Sequence, residues 1–128
     1  LTPEEETLAA PLLAALERGR FDPPWVRDLA REYRVPEDEV RRLLRKLARA
    51  GQLSQVVPDL FYHPRALADL ARIVAALPDA QAATFRDATG LGRKRAIQVL
   101  EYFDRVGYTR RVRNSHLVRP NASWPESG

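Results

Sequence analysis

Neither cysteine nor methionine occurs among the 128 residues. Without cysteine there can be no disulfide staple and no thiolate zinc site, and the composition suits a reducing compartment. No apolar run approaches the roughly 18–20 residues of a membrane span, and no signal-peptide pattern opens the chain. A membrane partner is therefore not expected, and a cytoplasmic location is. No carboxylate pair, Ser/His arrangement or metal-ligand cluster stands out, so neither a catalytic residue nor a metal site is expected. The two histidines, His63 and His116, fall on strand-like segments and would make a poor metal site. A chain that starts at Leu1 and lacks methionine suggests a piece excised from something longer.

With 45% apolar and 30% charged residues, the chain has the composition of a folding polypeptide, long enough for one ordinary domain or two small ones. The net charge of +4 is unevenly placed. Residues 1–64 hold 10 basic and 11 acidic side chains, whereas 65–128 hold 11 basic and 6 acidic. Such asymmetry points to the later half as the one that meets a polyanion.

The chain matches itself at an offset of 56 residues. Leu29 falls on Phe85, Val40 on Ala96, Leu44 on Leu100, Leu47 on Phe103, Gly51 on Gly107 and Pro64 on Pro120. These are apolar positions and Gly/Pro punctuation, which a shared fold preserves. In the first copy, Thr2-Pro3 and the acids after it open a helix over Glu4–Gly19, with Pro11 a candidate kink. Val26–Arg34 reads as a second helix. Pro36 opens a third, with Val40, Leu43, Leu44 and Leu47 at helical spacing and Gly51 as its stop. QLSQVV, a Pro58-Asp59 turn and LFYH then read as a β-hairpin. The second copy repeats the order with Pro64–Asp79, TFRDAT (84–89), a turn at Gly90-Leu91-Gly92, RKRAIQVLEYFDRVG (93–107) and the hairpin YTRRVRNSHLVR. Three helices followed by a two-stranded wing is the winged-helix plan, so a mainly α fold with small hairpins is expected, in tandem. The divisions are 1–63, 64–120 and a frayed, flexible tail at 121–128.

The copies differ where helix three begins. The first has Glu37, Asp38 and Glu39, which suit the positive end of the helix dipole and stand before Arg41 and Arg42 at ion-pairing distance. The second has Arg93, Lys94 and Arg95, followed four residues on by Ile97, Gln98 and Val99, so that only Glu101 and Arg105 repeat the pairing. The wing adds Arg110, Arg111 and Arg113, and Arg119 follows; Arg86 lies on helix two. Helix start and wing share one side of such a domain, so this charge converges where free backbone N–H groups also bind anions. Asn114 at the wing tip and His116 on its second strand join the candidate nucleic-acid-binding set. Tyr102 either stacks on a base or lies over the core edge. The first copy has its charges paired internally.

The stretch Phe85–Val112 carries Arg93, Lys94, Ala96, Ile97, Leu100, Glu101, Tyr102, Asp104, Arg105, Thr109 and Arg111 in the spacing RK-x-AI-x-x-LEY-x-DR-x-x-x-T-x-R. It resembles the last winged helix of the bacterial selenocysteine-specific elongation factors. The resemblance implies a fragment that holds the selenocysteine insertion hairpin of a messenger RNA, so that selenocysteinyl-tRNA is delivered at UGA by an N-terminal GTPase part. It implies the first copy as a spacer, the ribosome as a further partner that Arg42, Arg45 and Arg49 could touch unless they simply face solvent, and GTP with magnesium in that other part. No G-x-x-x-x-G-K-[ST] loop is present here. One departure is Arg113, where many members carry glycine. The alternative is a DNA-binding transcription regulator. Such proteins generally dimerise to match half-sites, and with no long dimerisation helix visible a monomer is expected.

Overall fold

The chain enters its first helix through Thr2. The Thr2 hydroxyl accepts the Glu5 N–H at 3.1 Å, and the Glu5 carboxylate accepts the Thr2 N–H at 2.9 Å. This reciprocal cap satisfies two donors that helix geometry leaves unpaired. Pro3 follows as the first helical residue, and α1 runs Pro3–Gly19 with Pro11 inside it. The Pro11 carbonyl accepts a 3.4 Å hydrogen bond from the Tyr33 hydroxyl. Next come α2 (Val26–Tyr33) and α3 (Glu37–Arg49). Gly51, at φ 81°, turns the chain out of α3 in a conformation that side chains resist. Strands β1 (Ser54–Val57) and β2 (Leu60–Tyr62) pair antiparallel, with a register shift between Gln55 and Val57.

This computed structural model describes residues 1–125 and divides into two compact units, Leu1–Ala66 and the part from Leu67 onward. The core of the first is one layer of apolar stripes. Leu12 and Leu16 of α1, Val26 and Leu29 of α2, and Val40, Leu43, Leu44 and Leu47 of α3 are all buried together. Each such side chain contributes about 1.5–3 kcal/mol over remaining exposed. The Tyr62 hydroxyl closes the hairpin onto this unit by donating to the Phe21 carbonyl at 2.7 Å.

The order repeats with α4 (Pro64–Ala76), α5 (Ala82–Thr89), α6 (Arg93–Arg105), β3 (Thr109–Val112) and β4 (Ser115–Val118). The boundary after Ala66 thus falls in the first turn of α4. Helix α5 begins two residues before its expected start at Thr84. The Thr84 hydroxyl accepts the Gln81 N–H at 2.9 Å and donates to the Asp79 carbonyl at 2.8 Å, tying down the turn in front of Ala82. Phe85, Ala96, Val99, Leu100 and Phe103 form the second core with Leu70, Ala71 and Val74. Tyr108 packs edge-on to Phe103 and donates its hydroxyl to the Ala71 carbonyl at 3.0 Å; burial pushes its phenol pKa up.

The tail expected to fray contains Trp124, whose ring lies 5.0 Å from Phe103 and 5.2 Å from Tyr108, edge-on to both. Residues 126–128 of that tail lie outside the described residues. The fold is the tandem winged helix that the sequence predicts. No helix among the described residues is long and apolar enough to cross a membrane.

Candidate nucleic-acid interface

Helix α6 opens at Gly92, whose backbone is extended (φ −68°, ψ 160°) and which supplies no side-chain cap. Among the described residues, the first N–H groups of α6, on Arg93 and Lys94, therefore lack the hydroxyl or carboxylate that usually satisfies such donors. In the same turn Arg93 and Lys94 are exposed, and neither has an ion-pair partner among the described residues. Cations here oppose the helix dipole by a few tenths to about 1 kcal/mol each. An anion arriving would relieve that cost and fill the open donors.

The wing aims its arginines by strand alternation. Arg111 is paired across the ladder with His116, and Thr109 with Val118, so these residues share one face. Thr109 and His116 are buried, which makes this the face turned toward α6. Arg110 is paired with Leu117 and lies on the opposite, outer face, where Leu117 is 45% exposed. Between β3 and β4 the two-residue turn is Arg113-Asn114. Arg113 has φ 58° and Asn114 does not share it, which is the sign pattern of the hairpin turn that takes glycine first. The Arg113 carbonyl accepts a 2.9 Å hydrogen bond from the Arg111 Nε, bracing the tip.

Helix start and wing meet around a groove of about 250 Å³ lined by Gln81, Ala82, Ala83, Arg93, Ile97, Glu101, Arg111, Asn114 and His116. Of the residues singled out from sequence, this groove gathers Arg93, Arg111, Asn114 and His116. Lys94 and Arg95 stand in the same turn as Arg93 but outside the lining, Arg110 and Arg113 occupy the outer wing face and tip, and Arg86 lies on α5 with its Nε 3.5 Å from Asp87. Tyr102 is half-buried, with Trp124 edge-on at 6.3 Å and the Arg105 guanidinium 5.7 Å from its ring centre. Its ring thus lies over the edge of the core.

His116 is 6% exposed. Its Nδ1 lies 2.9 Å from Asp104 Oδ2, and the Thr109 hydroxyl donates to Asp104 Oδ1 at 2.6 Å. Asp104 is thereby committed to the wing root and does not neutralise the arginines. Glu101 forms no ion pair among the described residues, so the expected pairing with Arg105 is not made, while the Arg105 guanidinium sits over Tyr102. A carboxylate acceptor therefore stands in the groove beside two guanidinium groups.

The first unit is built otherwise at the equivalent turn. Arg41 bonds Asp59 of the wing turn through Nε (2.7 Å) and Nη2 (2.9 Å), bonds Asp38 at 2.6 Å, and lies 3.6 Å from Glu37. The Arg41 hydrogen bonds hold the Asp59 carboxyl below its usual range. The four-residue spacing assigns Glu37 to Arg41 and Asp38 to Arg42. In fact Asp59 fixes Arg41 where Asp38 and Glu37 also reach it, and Arg42 is left without a carboxylate among the described residues. Sequence reasoning also passed over Gln81, Ile97 and Glu101 as site residues. The signal was available, because Arg93, Ile97 and Glu101 recur every four residues along one side of α6.

Comparison with known proteins follows the same division. The family model described as "Elongation factor SelB, winged helix" matches residues 72–118. That described as "Selenocysteine-specific elongation factor, winged helix domain" matches residues 14–62. The chain is 43% identical over 109 residues to the selenocysteine-specific elongation factor of Escherichia coli, covering 82% of this chain. It is 31% identical over 120 residues to that of Haemophilus influenzae, covering 91% of it. The chain spans 18% and 19% of the lengths of those two relatives. Among solved structures it resembles the mRNA-binding domain of elongation factor SelB from E. coli in complex with SECIS RNA. The TM-score is 0.86 at 37% identity, covering 94% of this chain and all of that one.

Proposed function

This chain belongs to the selenocysteine-specific elongation factor family, and we propose that within it the second unit holds the selenocysteine insertion hairpin of a messenger RNA. Arg93 and Lys94, with the open N–H groups of α6, take phosphates; Arg111 flanks them from the inner wing face, and Arg110 and Arg113 from the outer face and tip. Arg86 and Arg95 add to the field that draws the RNA in. A-form RNA offers side chains little in its deep, narrow major groove, so recognition falls on backbone shape and unstacked bases. The groove beside α6 suits a base edge. Asn114 and the guanidinium groups donate, Glu101 accepts, and His116, anchored by Asp104, supplies its outer ring nitrogen. Tyr102 serves the core edge instead of stacking on a base.

One observation carries this reading: Arg93 from a helix start and Arg111 and Asn114 from a wing line the same groove. The relatives named above are all selenocysteine-specific elongation factors, which does not favour the DNA-binding regulator. The parts of those factors outside this chain would deliver selenocysteinyl-tRNA at UGA on the ribosome, in the cytoplasm. GTP and magnesium belong there too, since no phosphate loop occurs in these 128 residues. The fragment itself acts as a binding module, as a monomer.

Titrating a labelled insertion hairpin tests the assignment. Arg93→Ala with Lys94→Ala lowers affinity by about tenfold or more, and the log–log salt slope of the unaltered chain is about −3 to −4 if four phosphates are neutralised. Arg42→Ala with Arg45→Ala leaves hairpin affinity nearly unchanged. Equal losses from both pairs, or a preference for duplex DNA of equal length, would refute it.

A further inference from the structure

The wing that carries Arg111 and Asn114 is a two-stranded ribbon, which is marginally stable alone, so what holds it decides where those side chains stand. At its root, Asp104 takes His116 and Thr109. Farther out, the free edge of β4 meets the segment before α5. The His116 N–H, turned away from β3, donates to the Ala80 carbonyl at 2.8 Å. One residue nearer the tip, the Ser115 hydroxyl donates to Asp79 Oδ1 at 2.6 Å. Among the described residues this is the side-chain tie nearest the Arg113-Asn114 turn that reaches outside the wing.

The other oxygen of the same carboxylate, Asp79 Oδ2, accepts from the Gln81 Nε2 at 2.7 Å. Gln81 and Asn114 both line the groove, one from the approach to α5 and the other from the wing, whereas Asp79 is not in the lining. A carboxylate only accepts, so it settles which end of the Gln81 amide turns toward it. That end is the nitrogen, and the Gln81 Oε1 has no hydrogen bond among the described residues. The neutrality of both donors matters. In the first unit the wing turn is tied to the start of α2, the Asp59 carbonyl accepting the Val26 N–H at 3.0 Å, but the Asp59 carboxylate takes the Arg41 guanidinium. A carboxylate left open beside the arginines of the second unit would capture one in the same way. With a hydroxyl on one oxygen and an amide on the other, Asp79 makes no ion pair among the described residues and draws no charge from Arg93 or Arg111.

We propose that Asp79 is a positioning residue for hairpin binding. By accepting from Ser115 and Gln81 at once, it fixes the wing tip against the approach to α5, so that Arg111 and Asn114 line the groove together with Arg93 before RNA arrives. Its contribution is preorganisation, which spares the complex the cost of ordering the wing. Without the tie, the binding-competent wing is only a fraction of the ensemble, and affinity falls by that fraction. The proposal rests on the reading that the second unit holds the hairpin.

The test sets the affinity of the full chain for a labelled insertion hairpin beside its affinity for an unstructured poly-uridine strand of equal length. Removing an acid from the rim of a cationic site strengthens the binding of any polyanion if only the field matters. Positioning gives the opposite sign for the hairpin: D79A weakens it by about fivefold or more, while poly-uridine binds as well or better. D79N removes the same charge but keeps a hydrogen-bonding group for each neighbour, and it recovers most of the hairpin affinity. S115A, which spares Asp79 and Gln81, costs about twofold to fivefold, and D79A/S115A loses no more than D79A, since both cuts sever one tie. Thermal melts by circular dichroism accompany each variant, and S115A, lacking a single hydroxyl, carries the test should D79A fail to fold. Hairpin affinity that holds or rises in both D79A and S115A overturns the proposal. So do equal losses for the two RNAs, additive losses in the double variant, or no rescue by D79N. A hairpin that fails to bind even the unaltered chain overturns the hairpin reading and this proposal together, whereas the other outcomes overturn this proposal alone.

Discussion

Arg113 occupies a left-handed backbone position, φ 58°, at the wing tip. A side chain there costs about 1–2 kcal/mol that glycine avoids. Its retention is explained if the guanidinium contributes to binding. Arg113→Gly therefore raises stability by about 1 kcal/mol in urea unfolding and reduces the magnitude of the hairpin salt slope by about 1. A more stable chain with an unaltered slope would show that Arg113 touches no phosphate. Asp104 is the opposite sort of residue, charged but inward-looking. Asp104→Asn weakens its hydrogen bonds with His116 and Thr109 and destabilises the second unit by about 1–3 kcal/mol. Hairpin affinity falls as well, because the wing root no longer fixes His116 in the groove.

At the scale of elements, the beginning of α6 carries the proposed site. Gly92 has open space where a Cβ would go and an ordinary negative φ, so a larger residue fits without strain. Gly92→Asp places a carboxylate where it accepts from the open N–H groups of α6 and satisfies the dipole. The melting temperature holds or rises, whereas hairpin affinity drops by about tenfold or more, since the anion's place is taken. A gain in stability without loss of binding would remove the helix start from the site. The helices were legible because apolar spacing, Thr2-Pro3, and the glycines at 51, 90 and 107 mark faces and ends. The start of α5 was less so, because Ala82 and Ala83 carry no signal and the tie through Thr84 depends on a turn. Strand alternation could have separated Arg110 from Arg111, but only once Thr109 and His116 are known to be buried. Trp124 was illegible: a lone aromatic in a polar run has no periodicity, and its docking depends on a surface assembled from α6 and the wing.

For the molecule as a whole, charge is divided by unit. Residues 1–66 hold 11 basic and 11 acidic side chains, and residues 67–128 hold 10 and 6. The first unit is balanced by pairs that acid can break. The Lys46 hydrogen bond holds the Glu5 carboxyl at about 2, down from 4.5, and Arg41 lowers Asp59 from 3.8. Both folded values lie below the unfolded ones, so their stabilisation is complete above about pH 4.5 and drains away as pH falls from there toward 2. The melting temperature of the first unit should decline across that window, and Glu5→Gln should flatten the decline. A decline as steep in the variant would assign the acid sensitivity elsewhere.

Such a measurement needs a signal from one unit at a time, and the chain supplies it. Of its two tryptophans, Trp25 stands at the start of α2 with the Arg27 guanidinium 5.5 Å from its ring, while Trp124 is wedged among Phe103, Tyr108 and Tyr102. Each unit thus carries a single indole in a different setting. Trp25→Phe leaves emission from the second unit alone, and Trp124→Phe leaves emission from the first, so loss of either fold can be timed by fluorescence without a dye.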